Sequence, residues 1–153
     1  MMPLTTKSIV VPATHASVPV LEMAYREFWQ SASRDLNRSV DQIWWLEFLT
    51  ALAEISTNVI RYAFPPGTTP GTVSLDLALY SDRVEAQLVD RGVKFIEHPP
   101  EVDAVACDAV AVHDVEGLAE SGMGLAMARA ALDTLEYRRF SDGRNRWLLV
   151  KQF

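Results

Sequence analysis

The chain has 153 residues, 49% of them hydrophobic and 22% charged, which suits one globular domain long enough to bury a core. A formal charge of −6 and a pI near 5.0 argue against nucleic acid or an anionic membrane as partner, since both reward a basic surface. Cys107 is the single cysteine, which excludes an intramolecular disulfide framework. No signal peptide is visible, and no apolar run approaches the ~18 residues of a membrane span, so a soluble cytoplasmic protein is expected.

In chain order, KSIVVPA (7–13) reads as a short strand ended by Pro12. Residues 18–32 carry a helical pattern with Val20, Met23, Ala24, Phe28 and Ser31 on one side. Asp41 can cap a second helix running to Ala63, where PPG forbids continuation. TVSLDLALY (72–80) alternates, with Val73, Leu75, Leu77 and Leu79 facing one way. After the turn SDR, VEAQLVD alternates again, and the two read as a β-hairpin with one buried face. A long irregular stretch, about 97–121, is too long for a plain connection and is expected to be a lid or disordered. GMGLAMARAALDTLEY then opens a third helix, and LEYRRF and NRWLLVKQF flank the turn SDGR as a second hairpin. Such an order describes an α+β protein, a two-layer sandwich with helices on one face of a sheet.

In the second helix Glu47, Thr50, Glu54, Asn58 and Arg61 fall within roughly 80° of one another, opposite Trp45, Leu52 and Val59. A polar stripe of this kind is what any amphipathic helix shows to water. It is equally the wall of a site if something covers it. Asp90 ends an alternating strand, with Gly92 just beyond; Asp and Gly also punctuate ordinary turns. Gly122 and Gly124 open a helix, where glycines allow a ligand close to the backbone and free N–H groups can hold phosphate oxygens. A flexible joint would use the same residues. No G-x-x-x-x-G-K-[ST] sequence is present, so a P-loop is excluded.

The joint order of these pieces resembles the GHKL (Bergerat-fold) ATPases, and among them the small anti-sigma-factor serine/threonine kinases built of this domain alone. The resemblance covers nearly the whole chain. EISTNVIRYAF looks like the family's N box, LVDRGVKF like its first glycine box and SGMGLAMARAALDTLEY like its second. It implies a Bergerat fold with a mixed, mostly antiparallel sheet, a single domain over 1–153 and an ATP lid at about 96–121. ATP and Mg²⁺ are the implied cofactors. By resemblance Asn58 is the Mg²⁺ ligand, Glu54 the general base, and Asp90 the acceptor for the adenine amino group. Gly92, Gly122, Met123, Gly124 and Leu125 fall where the family's backbone meets nucleotide. The implied protein substrate is a small anti-sigma-factor antagonist, with a sigma factor as second partner; homodimers are common in the family.

Three positions depart from the family pattern. Lys94 stands where a second glycine is usual, and its side chain could crowd the lid hinge or help to neutralise phosphate. Tyr62 replaces a common histidine at the helix end, a change read as harmless. Asn145 is the nearest match to a threonine that often supports the aspartate, and an amide can donate and accept in the same way. Lys94 keeps a second reading open, a non-catalytic nucleotide-binding or partner-binding module in a partner-switching pathway. The catalytic half of a histidine kinase fits less well, because no phosphoacceptor helix pair precedes the domain. His15, His98 and His113 lack metal-ligand spacing, and Cys107 is expected to be a passive thiol. Trp44 and Trp45 read as packing residues, and Arg138, Arg139, Arg144 and Arg146 as a solvated turn or, less simply, a docking patch.

Overall fold

The structure, a computed structural model, describes residues 1–96 and 124–153. Five strands form one sheet: β1 (Thr5–Pro12), β2 (Thr72–Leu79), β3 (Arg83–Asp90), β4 (Thr134–Arg139) and β5 (Asn145–Gln152). Their spatial order is β1-β2-β3-β5-β4, and all four pairings are antiparallel. Among the described residues three α-helices, α1 (Val18–Ala32), α2 (Gln42–Tyr62) and α3 (Gly124–Ala131), pack on one face. The layered α+β architecture expected from the sequence is the one observed. The presumed lid beyond Ile96, with His98, Cys107 and His113, lies outside the described residues, and so do Gly122 and Met123.

The period of two in β2 and β3 decides which face is dry. Val73, Leu75, Leu77, Leu79, Val84, Ala86 and Leu88 are all buried, whereas Asp76 on the outer face is exposed. Each fully buried Leu or Val contributes about 1.5–3 kcal/mol, so a one-residue register slip that turned this row outward is strongly disfavoured. Asp41 caps α2 as expected, its carboxylate accepting from the Ile43 N–H at 2.9 Å. At the other end Pro65 and Pro66 follow the C-cap, Ala63.

One sequence expectation is corrected in α1. The buried stripe is Leu21, Ala24, Tyr25, Phe28 and Ala32, while Val20 and Met23 are 45% and 54% exposed and Ser31 is exposed. The helix is turned by about one position because Tyr25 has the larger surface to bury. Its ring stacks on Trp45 at 5.6 Å and packs against Phe48 at 5.1 Å. Trp44 and Trp45 are packing residues, as read. Trp44 also donates its indole N–H to the Gln152 carbonyl at 2.6 Å and stacks on Phe153.

Candidate active site

The polar stripe of α2 does not face water along its whole length. Asn58 is 4% exposed and Glu54 is half-buried, because the stripe is covered by other elements. At Glu54 the cover is α3. Gly124, its first residue, comes so near that an added Cβ would collide with Glu54 Oε2. At the C-terminal end of α2 the cover is the turn after β3. The Val93 N–H donates to the Ala63 carbonyl at 2.8 Å, and a Cβ on Gly92 would overlap that same carbonyl. Gly92 is therefore required for the turn to dock on the helix end, a packing reason that its turn-like context did not reveal.

Between α2 and the sheet lies a narrow cleft lined by Asn58, Tyr62, Phe95, Tyr137 and Trp147, together with Asp90 and Asn145. Strand register brings these residues together. Asp90 is directly opposite Asn145 across β3 and β5, and Asn145 is opposite Arg139 across β5 and β4. Two residues along, Leu88 faces Trp147 and Trp147 faces Tyr137. A polar row and an aromatic row thus lie side by side. Phe95 sits edge-on to Trp147 at 5.1 Å, to Tyr137 at 5.7 Å and to Tyr62 at 6.3 Å.

Asp90 is 3% exposed and Asn145 2%. Asp90 Oδ1 accepts from the Gly92 N–H and from Asn145 Nδ2, both at 2.8 Å, while Oδ2 has no hydrogen-bond partner among the described residues. Burial pushes the Asp90 carboxyl above its ordinary value; the bonds from Asn145 and Gly92 and the charge of Arg139 oppose that rise. The Asn58 side chain likewise has no hydrogen-bond partner among the described residues. Neither is among the fully buried unpartnered atoms of the described residues, which are on Tyr25, Trp45, Ser56 and Arg146, so both keep a hydrogen-bonding capacity open to a ligand. Here both line one cleft.

Lys94 is exposed and does not line the cleft, although Val93 and Phe95 on either side of it do. Leu125 turns its side chain into the core. Arg139 departs from the solvated-turn reading: it donates to the Gly92 carbonyl at 2.7 Å and to Asn145 Oδ1 at 3.1 Å. Arg144 and Arg146 do pair locally, with Asp142 and Glu136. Sequence reasoning missed Tyr137, Trp147 and Phe95 as walls and took Tyr62 for a neutral substitution. Trp147 was within reach, since it stands two residues from Asn145 on one strand and must share its face.

The profile of the histidine kinase-like ATPase domain matches residues 11–151 of the chain, from the end of β1 into the last strand. The chain belongs to this family. It is 31% identical over 94 residues to the serine-protein kinase RsbW of Halalkalibacterium halodurans, a match covering 60% of this chain and 53% of that protein. The chain thus spans about half the length of the curated relative it matches. Among solved structures, the RsbU and RsbW domains of Rv1364c from Mycobacterium tuberculosis superpose with a TM-score of 0.63 at 17% identity, over 97% of this chain and 32% of that one. The SiaB-SiaC complex from Pseudomonas aeruginosa superposes at 0.53 and 13% identity, over 96% of this chain and 89% of the other. At such identities the structures speak for a shared fold alone. No helix among the described residues is long and apolar enough to cross a membrane.

Proposed function

We infer that this histidine kinase-like domain is an ATP-dependent serine/threonine protein kinase of the anti-sigma regulatory type. The observation that carries this reading is the pair of partnerless polar groups in one cleft, the Asn58 amide and Asp90 Oδ2. They differ in the ligand they suit. A carboxylate oxygen at an aromatic-walled base accepts an exocyclic amino group, as adenine offers. The neutral amide oxygen of Asn58 is a hard ligand suited to Mg²⁺, which keeps few protein ligands beside water and phosphate oxygens. The residues present therefore fit a magnesium–adenine nucleotide.

Mg-ATP, when bound, supplies the phosphoryl group and much of the charge neutralisation that its transfer needs. The chain's own contribution is position. Glu54 lies one helical turn before Asn58, on the same face and about 5–6 Å away by Cβ spacing. Its carboxylate would take the proton of an incoming serine or threonine hydroxyl. The first turn of α3 would hold phosphate through backbone N–H groups at Gly124 and, in the glycine segment before it, Gly122 and Met123. The substrate proposed is a small anti-sigma-factor antagonist, with a sigma factor as the competing partner. Phosphorylation would add about −1.5 to −2 charges at the antagonist's docking surface, which this acidic chain would repel at short range.

The test is transfer from labelled Mg-ATP to candidate antagonist domains, comparing the natural protein with Glu54→Gln. Serine or threonine label that drops by about 10²–10⁴ in the variant, with Mg-ADP affinity retained, is the expected result. Nucleotide binding with no transfer to any antagonist would replace the kinase by a nucleotide-dependent binding module.

A further inference from the structure

Asn145 is held by its surroundings in one orientation. Three acceptors face its Nδ2: Asp90 Oδ1 at 2.8 Å and the carbonyls of Gly92 and Val93, each at 3.1 Å. Two donors face its Oδ1, the Tyr137 hydroxyl at 2.5 Å and Arg139 at 3.1 Å. A flipped amide would set its oxygen against acceptors and its NH₂ against donors. The Tyr137 hydroxyl is in turn fully used, since it also accepts from the Phe95 N–H at 3.0 Å. The chain of bonds therefore has a direction: Phe95 N–H to Tyr137, Tyr137 O–H to Asn145, Asn145 N–H to Asp90 Oδ1. Its result is that both donors reaching Asp90 converge on one oxygen and leave the other free for the cleft. Arg139 is exposed and its charge is shared with the Gly92 carbonyl, whereas Tyr137 belongs to the aromatic wall itself.

We propose that Tyr137 is a positioning residue that sets the base selectivity of the cleft. Acting through Asn145, it fixes Asp90 so that the pocket prefers a purine carrying an exocyclic amino group where adenine has one. The inference rests on the nucleotide reading of the site and adds to it a residue on a neighbouring strand. Without the hydroxyl the ring wall stays, but Asn145 loses its shorter-range donor and Phe95 its acceptor. Asp90 is then free to turn its second oxygen away from the cleft. Binding through the phosphates does not depend on that oxygen, so the change falls on adenine recognition.

The experiment is calorimetric titration of the natural protein and Tyr137→Phe with Mg-ADP and with Mg-IDP, whose base has a carbonyl in place of the amino group. The natural protein should prefer ADP. In the variant ADP affinity should fall about tenfold, the scale of a hydrogen bond to a charged group, with IDP affinity changed about twofold or less, so that the preference narrows. Equal weakening of both nucleotides, or no change in either, would reduce Tyr137 to a structural residue and overturn the proposal. If the natural protein binds neither nucleotide, the reading of the cleft fails and the selectivity proposal with it. Amide hydrogen exchange on the natural protein adds a check independent of the variant's fold. The Phe95 N–H should be protected, and free exchange there would mean that the Tyr137 link is not made.

Discussion

Gly124 and Glu54 touch so closely that the space for one methyl group on the glycine is already taken by a carboxylate oxygen, Glu54 Oε2. The first residue of α3 thereby sits against the proposed base. Gly124→Ala must displace only the far end of a flexible side chain. Its thermal stability should stay within ~1 kcal/mol of the natural protein, while phosphoryl transfer falls because Glu54 is moved.

Gly92→Ala should behave in the opposite sense. The obstructing atoms there are the Ala63 carbonyl and Cβ, which cannot swing aside as a flexible side-chain end can. The turn would have to lift off the helix end, at a cost of about 1–3 kcal/mol or more. Chemical denaturation of the two variants side by side checks the contrast. Equal destabilisation would mean that the close approaches do not have these different partners.

Asn58→Ala removes a nearly buried amide that has no hydrogen-bond partner among the described residues. Folding gains little from such a group, so stability should change by less than about 1 kcal/mol. Magnesium dependence of nucleotide binding should disappear. Titration of ADP with and without Mg²⁺ measures it directly, and a variant that still binds better with the ion would remove Asn58 as its ligand.

Asp90 carries a stability effect of definite sign. Its carboxyl titrates above the ordinary value because it is buried, so the native state holds that proton more tightly than the unfolded chain does. Its contribution is most favourable at acid pH, declines as pH rises from the ordinary aspartate value to the raised one, and is constant above. Asp90→Asn does not titrate and can still accept from Gly92 and Asn145. It should be the more stable protein at neutral pH, with the gap closing under acid conditions. Its amide NH₂ cannot accept an adenine amino group, so Mg-ADP binding should weaken by ~1–3 kcal/mol. Melting curves between acid and neutral pH and one titration test both halves; a variant less stable at neutral pH would contradict the sign.

Lys94→Gly restores the glycine usual in the family's first box. Because Lys94 is exposed and off the cleft wall, Mg-ADP affinity should change by less than about threefold, the scale of an exposed charge. A large gain would mean that the lysine does obstruct the site and would favour the binding-module reading.

Much of the fold was legible because its signals are local. Alternation in β2 and β3, the Asp41 cap and the Pro65–Pro66 stop depend on near neighbours in the chain, and each stands where it was expected. The strand-end aspartate and the Glu54/Asn58 spacing were visible for the same reason. Local pattern misjudged α1, where Val20 and Met23 look as buriable as Leu21 and Tyr25 until the partner helix supplies Trp45 and Phe48.

The sequence by itself determined the elements, the inner faces of β2 and β3, the one-turn spacing of Glu54 and Asn58 and the place of Asp90 at a strand end. Tertiary structure alone decided that Asn145 lies opposite Asp90, that Tyr137 and Trp147 wall the cleft, and that Gly124 covers Glu54. The physical reason is range. Periodicity and capping are set by neighbours along the chain, whereas Asp90 and Asn145 are 55 positions apart and Glu54 and Gly124 are 70, joined through strand pairing and helix packing that only the assembled fold fixes.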